Sequence, residues 1–212
     1  TFAFNVQENN WLGQGKKIGL DFEVSTDSIA GEFSFVNPNY DLLGNQLRYS
    51  VSSTSNDKPD QGYENSIFTT SVGTAFEQYK DIYTSITLFA THDDLRTNST
   101  ASTALQNQKG EFTELAAEYG FTYDQRNRKF APTSGSITKF SQALPFYADK
   151  PYISNSFAHS LYQSFGENVI GSGRLSLAAI NGLNDENVRL SKRKLVSSKK
   201  LRGFEKGKVG PK

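Results

Sequence analysis

The sequence contains no cysteine and no methionine among its 212 residues, and it has a single tryptophan. Without cysteine the chain cannot form disulfide bonds, thiolate nucleophiles or thiolate metal sites. Methionine is missing even from the first position, so we expect the chain to be an excerpt of a longer polypeptide whose export signal would lie upstream.

Long hydrophobic runs are also missing. Hydrophobic residues make up 36% of the chain, the mean hydropathy is -0.55, and no run approaches the roughly 18 to 20 apolar residues of a spanning helix. This excludes a helical membrane protein. It does not exclude a membrane β-barrel, whose strands need apolar side chains only at every second position.

Alternation of apolar and polar side chains is the dominant pattern. Phe2, Phe4 and Val6 alternate with polar or small residues, and comparable runs occupy residues 18–24, 47–51, 68–76, 82–90, 115–123, 157–161 and 175–179. A period of two predicts strands. We predict about ten strands in an all-β, antiparallel up-and-down barrel wall, near the roughly 9 to 11 residues of a tilted membrane strand.

The polar segments between these runs alternate in length. Short connections at 78–81 and 166–168 alternate with longer ones at 56–62, 93–109 and 145–152. Short turns at one end and long loops at the other are typical of outer-membrane barrels. No interdomain linker is visible, so one domain, or part of one, is the economical interpretation.

Aromatic residues make up 13% of the chain, and many lie near predicted strand ends. Such rings favour a membrane interface and predict two girdles. The alternative is a soluble β-sandwich with aromatic core residues, which would leave the apolar face of its edge strands uncovered. The strand-end aromatics are Phe2, Trp11, Phe35, Tyr40, Tyr63, Phe76, Tyr79, Tyr83, Tyr123, Phe130, Phe146, Tyr147 and Tyr152.

Charge is unevenly distributed along the chain. Residues 191–212 hold nine Lys or Arg and one acid, whereas the rest holds 14 basic and 21 acidic residues, a net charge of -7. A solvated basic loop is the simplest explanation. Nucleic-acid binding is disfavoured because no helical or stacking motif accompanies the charges.

Candidate catalytic residues are few. His92 and His159 are the only histidines, they fall in separate predicted strands, and neither has an acid and a serine beside it in a hydrolase pattern. His92, Asp93 and Asp94 are a weak metal-binding candidate. We therefore predict no enzyme activity, no catalytic or metal-binding residues and no cofactor, although barrel phospholipases show that the fold alone does not exclude catalysis.

Four stretches, in order along the chain, resemble the barrel of the BamA-like family of outer-membrane assembly factors, also called bacterial surface antigens. They are the hairpin VQENNWLGQG (6–15), the strand end FSFVNPNY (33–40), the segment YGFTYDQRNRKFAPTSG (119–135), and the loop LRGFEKGKVGPK (201–212). The last resembles the family's Arg-Gly-Phe/Tyr signature with a trailing Gly-x-Ile/Val-Gly-Pro. The ordered coincidence is more specific than any single match.

Each of the first three stretches contains residues that favour a turn or the end of a strand. In the hairpin, Gly13 and Gly15 supply backbone freedom and Trp11 and Leu12 are predicted to anchor a periplasmic turn. Pro38 should end a strand because it lacks an N–H donor. Pro132 and Gly135 are predicted to set a second periplasmic turn, with Asp124 and Arg126 placed to pair across it.

The resemblance implies a role for the last stretch. In the family this loop folds into the barrel lumen, and its arginine contacts acidic residues of later strands. Carried over to this sequence, the resemblance implies that Arg202 makes the contact with the acidic residues. Gly203 would permit an unusual backbone geometry, and Phe204 would pack on the lumen wall. Gly207, Gly210 and Pro211 would shape the path of the chain back to the next strand. We expect residues 1–181 to form a partial transmembrane barrel and residues 182–212 the extracellular and lumen loop. The additional lysines of this loop could meet acidic lumen positions such as Asp21, Glu23 or Glu118, could meet lipid phosphates outside the barrel, or could simply be solvated. They are Lys199, Lys200, Lys206 and Lys208.

The implied function is assembly: folding and inserting β-barrel proteins into the bacterial outer membrane. The implied partners are nascent barrel proteins, accessory lipoproteins and the lipid bilayer, with periplasmic POTRA domains upstream. Three alternatives remain open: a related barrel for two-partner secretion or autotransporter assembly, a passive porin, and a soluble all-β binding module.

Overall fold

The computed structural model describes residues 2–166, 169–184 and 187–193. Ten antiparallel strands follow chain order in a single sheet, so each strand pairs with its neighbours in sequence. The predicted ten-stranded meander is confirmed. The strands are β1 (Phe2–Trp11), β2 (Lys16–Val24), β3 (Ser28–Asn37), β4 (Gln46–Lys58), β5 (Tyr63–Tyr79), β6 (Ile82–Thr97), β7 (Gly110–Asp124), β8 (Gly135–Ala148), β9 (Tyr152–Ser164) and β10 (Ile170–Gly182).

Short helical segments interrupt only the connections of the described chain. A helix, α1 (Thr103–Gln106), lies between β6 and β7, and 3-10 turns occupy Pro59–Gln61 and Leu190–Lys192. None of the described helices is long and apolar enough to cross a membrane.

The register gives the sheet two chemically different faces. Leu20 pairs with Phe33, which pairs with Val51, whereas the neighbouring residue Asp21 pairs with Glu32. Because successive side chains project to opposite sides of a strand, one face is mainly apolar and the other mainly polar. We call these the outer face and the inner face.

Burial is the reverse of that in a soluble domain. No large side chain in the described residues is fully buried, and the buried apolar residues are few and mostly small. Phe4, Phe33 and Leu177 on the outer face are 46%, 43% and 57% exposed. Covering one such side chain with an apolar phase is worth about 1.5 to 3 kcal/mol, so a face of this size requires apolar surroundings.

Hydroxyl pairs connect neighbouring strands on the inner face. The hydroxyls of Ser50 and Ser71 are 2.8 Å apart, as are those of Ser141 and Ser156. On the outer face, aromatic side chains pack across strands; the rings of the register partners Phe35 and Tyr49 have centroids 6.3 Å apart. Cross-strand pairs of both kinds stabilise an antiparallel register.

The strand lengths and loop lengths differ in part from the sequence prediction. β5 and β6 have 17 and 16 residues, longer than expected, because their ladder continues from Tyr79↔Ile82 to Tyr63↔Thr97. Part of each segment expected as a long loop, at 56–62, 93–109 and 145–152, is strand, because β4 continues to Lys58, β6 to Thr97 and β8 to Ala148. The connections that remain there are 59–62, 98–109 and 149–151, and they are not systematically longer than those at the opposite end.

We name the two ends of the sheet by a residue in one turn. The Leu12 end carries the connections 12–15, 38–45, 80–81, 125–134 and 165–169. The Asp60 end carries 25–27, 59–62, 98–109, 149–151 and the segment after Gly182. β3 ends at Asn37, immediately before Pro38, as predicted from the missing donor of proline.

Candidate functional site

Residues 187–193 lie against the inner face near the Asp60 end. They follow β10 and contact side chains of β6, β7 and β9. We call this contact the inner-face clasp. It is the one place in the described chain where several charged side chains with low exposure converge.

Asp93 is the centre of the clasp. One of its carboxylate oxygens accepts a hydrogen bond of 2.8 Å from Nδ2 of Asn65. The other accepts a hydrogen bond from the hydroxyl of Ser191 and lies 3.2 Å from Nη2 of Arg189. A carboxylate removed from water stays charged only with partners of this kind.

Glu114 provides a second acidic group beside the first. Asp93 pairs with Phe112 and Thr91 pairs with Glu114, so the β6–β7 register places Asp93 and Glu114 on the same face of the sheet. Glu114 Oε1 accepts a hydrogen bond of 2.6 Å from the Tyr152 hydroxyl, and Oε2 lies 2.7 Å from Nζ of Lys192. That Nζ is also 5.4 Å from the centroid of the Tyr152 ring, within cation–π range.

Arg189 is the most buried cation of the clasp. Its guanidinium carbon lies 3.2 Å from the centroid of the Phe112 ring. Burial lowers the pKa of the guanidinium, and the negative charges of Asp93 and Asp149 counteract this; the group nevertheless remains protonated at neutral pH. Its Nε and Nη1 have no hydrogen-bond partner, so Asp93 and the Phe112 ring are what compensate its desolvation within the described chain.

The first predicted turn lies at the Leu12 end. Gly13 and Gly15 have φ of 71° and 68°, a region that glycine adopts readily. The turn is closed by hydrogen bonds from Gly13 N to Asn10 O (3.0 Å) and from Gly15 N to Asn10 Oδ1 (2.6 Å). Trp11 and Leu12 are exposed. Their role as periplasmic anchors stays a prediction.

The second predicted turn is the ten-residue connection 125–134, at the same end. Pro132 lies within it and Gly135 is the first residue of β8, with φ of 96°. The expected pair forms: Arg126 Nη2 lies 2.7 Å from Asp124 Oδ2. The hydrogen bonding of the Arg126 guanidinium to the Asp124 carboxylate is the main cause of a raised pKa for Arg126.

The other predicted site residues, Arg202, Gly203, Phe204, Gly207, Gly210 and Pro211, lie outside the described residues. Arg189, Lys192 and Glu114 were not predicted from the sequence, and Asp93 was a candidate only as a neighbour of His92. One sequence signal was available: Asp93 and Glu114 occupy inner-face positions of strongly alternating strands. Nothing in the sequence paired them with a segment so distant along the chain.

The strand geometry separates the side chains of the weak metal-binding candidate formed by His92, Asp93 and Asp94. His92 faces outward, where its Nδ1 is 3.4 Å from Thr113 Oγ1, whereas Asp93 faces inward. His159 Nδ1 is 2.9 Å from Thr138 Oγ1. No group of three or more histidine or acidic side chains within the described ranges could hold a metal ion.

Comparisons with known proteins agree with this architecture. Residues 10–212 match the model of the Omp85 superfamily domain. The fold is similar to that of BamA from Haemophilus ducreyi lacking POTRA domains 1-3, with a TM-score of 0.82 and 21% sequence identity. The match covers 99% of this chain and 44% of that one, so the chain spans less than half of that structure. The ten strands are thus part of the wall of a transmembrane β-barrel, with the apolar face outward, and the chain belongs to the Omp85 superfamily.

Proposed function

We propose that this chain is part of the barrel of an outer-membrane assembly factor that folds and inserts β-barrel proteins, and that its segment 182–212 lies in the barrel lumen. The superfamily match and the fold similarity support an outer-membrane insertion or transport role. Nascent barrel proteins are the substrates in this proposal. Accessory lipoproteins and the lipid bilayer are the other partners, and a signal peptide and POTRA domains precede the chain.

The inner-face clasp is the observation that carries the lumen assignment. Ion pairs of Arg189 with Asp93 and of Lys192 with Glu114 hold residues 187–193 on the inner face. The motif at Arg202 begins only nine residues after Arg193. A segment fixed there supports a lumen position for the motif, where a guanidinium held by carboxylates would be worth more than a surface pair.

Catalysis has no part in this proposal. The barrel contributes a wall, a clasp and a loop, and the substrate strands would gain backbone hydrogen bonds from unpaired strand edges during insertion. The edge strands of the described sheet are β1 and β10. In a complete barrel each of them pairs with a further strand.

The test replaces Arg202 with alanine and, separately, with lysine in the whole protein. We expect both variants to insert into membranes but to be slower at inserting a β-barrel substrate into vesicles, because lysine cannot form the bidentate contact. Lys206→Ala is the matched control, since it removes a positive charge from the same loop outside the Arg-Gly-Phe core. Undiminished insertion by Arg202→Ala would contradict the proposed role of the loop.

The same vesicles distinguish a secretion-type relative. An assembly factor leaves its substrate embedded in the membrane and protected from protease, whereas a secretion barrel releases a soluble substrate into the lumen of the vesicle. Steady single-channel conductance of the reconstituted protein would instead favour a passive porin.

A further inference from the structure

The five connections at the Leu12 end share a feature that the barrel wall does not require. Each carries, in the turn or at the adjoining strand end, a large apolar side chain that points into open space. These side chains are between 68% and 106% exposed. They are Leu12, Leu42, Leu43, Tyr79, Phe130 and Phe165, which we call the Leu12-end fringe.

The turns of the Asp60 end have the opposite character. The four completely described connections there, 25–27, 59–62, 98–109 and 149–151, carry no exposed large apolar side chain. Leu105 in the longest of them is half-buried. After β10, Leu183 is 38% exposed, well below any member of the fringe. Exposed strand-end residues occur at the Asp60 end as well, where Phe2, Phe146 and Tyr147 are 63%, 65% and 55% exposed. The difference between the two ends therefore lies in the turns themselves, since exposed large apolar residues occupy four of the five turns at the Leu12 end.

The 38–45 turn presents its leucines in an ordered conformation. The Asp41 carboxylate accepts hydrogen bonds from the backbone N–H groups of Leu43 and Asn45, each 3.0 Å long. It also accepts one of 2.7 Å from the Asn45 side chain. Leu42 and Leu43 are 106% and 86% exposed at the tip of this turn. Because the Asp41 carboxylate holds this turn, Leu42 and Leu43 stay exposed to water. Their exposure is unfavourable in free energy, and contact with an apolar partner would offset it.

Two observations indicate which partner. The fringe is distributed with at least one residue per hairpin along the whole edge, as contact with a bilayer requires, whereas a docked protein would cover a local patch. It is also continuous with the outer face, because Tyr79 pairs with Ile82 at the edge of that face. A barrel already sits in the membrane through this face, and the fringe extends the same apolar surface beyond the strand ends.

Charge complementarity supports the same partner. Exposed basic side chains lie beside the fringe, at Lys80 next to Tyr79 and at Arg128 and Lys129 next to Phe130. Arg128 is held in place by a hydrogen bond of 2.7 Å from its Nε to Ala131 O. Cationic groups next to exposed aromatic rings fit a surface with phosphates above acyl chains.

We propose that the Leu12-end fringe inserts into the boundary between headgroups and acyl chains of the adjacent membrane leaflet, and that Lys80, Arg128 and Lys129 contact lipid phosphates. The barrel is then immersed asymmetrically, with its turns in the lipid at the Leu12 end and in water at the Asp60 end. This inference rests on the membrane position of the barrel and is independent of the assembly activity.

Single cysteines carrying an environment-sensitive fluorophore test the proposal, because residues 1–212 contain no cysteine. Leu43→Cys and Phe130→Cys report on the fringe, and Asp60→Cys is the matched control at the other end; all three side chains are exposed, so the fold should tolerate the change. The labelled whole protein, with any cysteine outside residues 1–212 replaced by serine, is reconstituted in phosphatidylethanolamine–phosphatidylglycerol vesicles. Quenching is measured with aqueous iodide and with lipids carrying a nitroxide near the headgroup.

We expect the nitroxide lipid to quench labels at 43 and 130 several-fold more than the label at 60, and iodide to show the reverse order. Strong iodide quenching at 43 and 130 with no lipid quenching would overturn the proposal. Protection from both quenchers would overturn it as well, because it would mean that protein covers the fringe. In the double variant Arg128→Ala/Lys129→Ala, quenching of the label at position 130 by the nitroxide lipid should weaken, whereas quenching of the label at position 43 should persist.

Discussion

Arg189 and Asp93 form an ion pair of 3.2 Å in which the two side chains are only 7% and 4% exposed. The neighbouring residue Asp94 forms a shorter pair, 2.8 Å, with Arg96, whose side chain is 71% exposed. Adjacent acids on one strand thus make one buried and one solvated ion pair, because they project to opposite faces of the sheet. Loss of the buried Arg189–Asp93 pair should therefore reduce stability more than loss of the exposed pair, although its N–O distance is longer.

Removing Arg189 should therefore destabilise the protein substantially. In Arg189→Ala the free energy of unfolding should fall by about 3 kcal/mol or more, because Asp93 is left buried without its cation. Arg189→Lys should recover only part of this, since an ammonium does not stack on the Phe112 ring as a guanidinium does. Urea unfolding of the whole protein in lipid vesicles measures both values.

Arg96→Ala is the matched control for this experiment. An exposed pair is worth about 0 to 1 kcal/mol, so this variant should unfold close to the parent. The double variant Arg189→Ala/Asp93→Asn should lose less than the sum of the two single losses, because the second change removes the unpaired charge. Additive losses would show that the two side chains do not act as a pair.

Tyr152→Phe tests the second acid of the clasp. The Tyr152 hydroxyl donates a 2.6 Å hydrogen bond to Glu114, and a hydrogen bond to a charged group contributes about 1.5 to 3 kcal/mol. The variant should lose stability in that range by the same unfolding assay. Tyr79→Phe, which removes a hydroxyl from a side chain that is 68% exposed, should leave stability unchanged; equal losses in both variants would contradict the assignment.

The sheet was predictable because its signal is local. Alternation such as Phe68, Val72 and Phe76 fixes which side chains share a face, and a meander follows when each strand pairs with the next. Strand ends were less predictable: the ladder continues through Asp93 and Leu95, where the polar sequence resembles a loop. Inner-face positions tolerate polar residues, so polarity does not mark the end of a barrel strand.

The clasp was beyond prediction for a different reason. Asp93 and Glu114 come together through the β6–β7 register, but Arg189 reaches them only after the chain has completed three further strands. Many inner-face acids, such as Asp21 and Glu23, are equally plausible partners for a basic segment. Only the path of residues 187–193 decides between them, and that path is a property of the folded chain.

The 38–45 turn should respond to acid. The backbone hydrogen bond from Asn45 is the main cause that lowers the pKa of Asp41 below its ordinary value of 3.8. A lowered folded-state pKa means that the stabilising contribution is present above pH 3.8 and is lost as the pH falls through the folded value. The NMR shift of the Asn45 amide proton should therefore titrate with a midpoint below 3.8. Asp41→Asn should abolish the titration, and a midpoint above 3.8 would contradict the hydrogen-bonded arrangement.

Gly135 should be intolerant of any side chain. Its φ of 96° is unfavourable for other residues, and an added Cβ would lie 2.2 Å from the Gln125 carbonyl oxygen. We expect Gly135→Ala to lower the free energy of unfolding by more than about 1 kcal/mol, since backbone strain and the clash both act on the folded state. Gly173→Ala is the matched control, because a Cβ there meets nothing within 4 Å. Restricting the unfolded chain should make that variant equally stable or slightly more stable. If the two variants unfold at the same urea concentration, the connection 125–134 does not depend on glycine at its end, and its contact with the start of β8 is looser than the backbone geometry indicates.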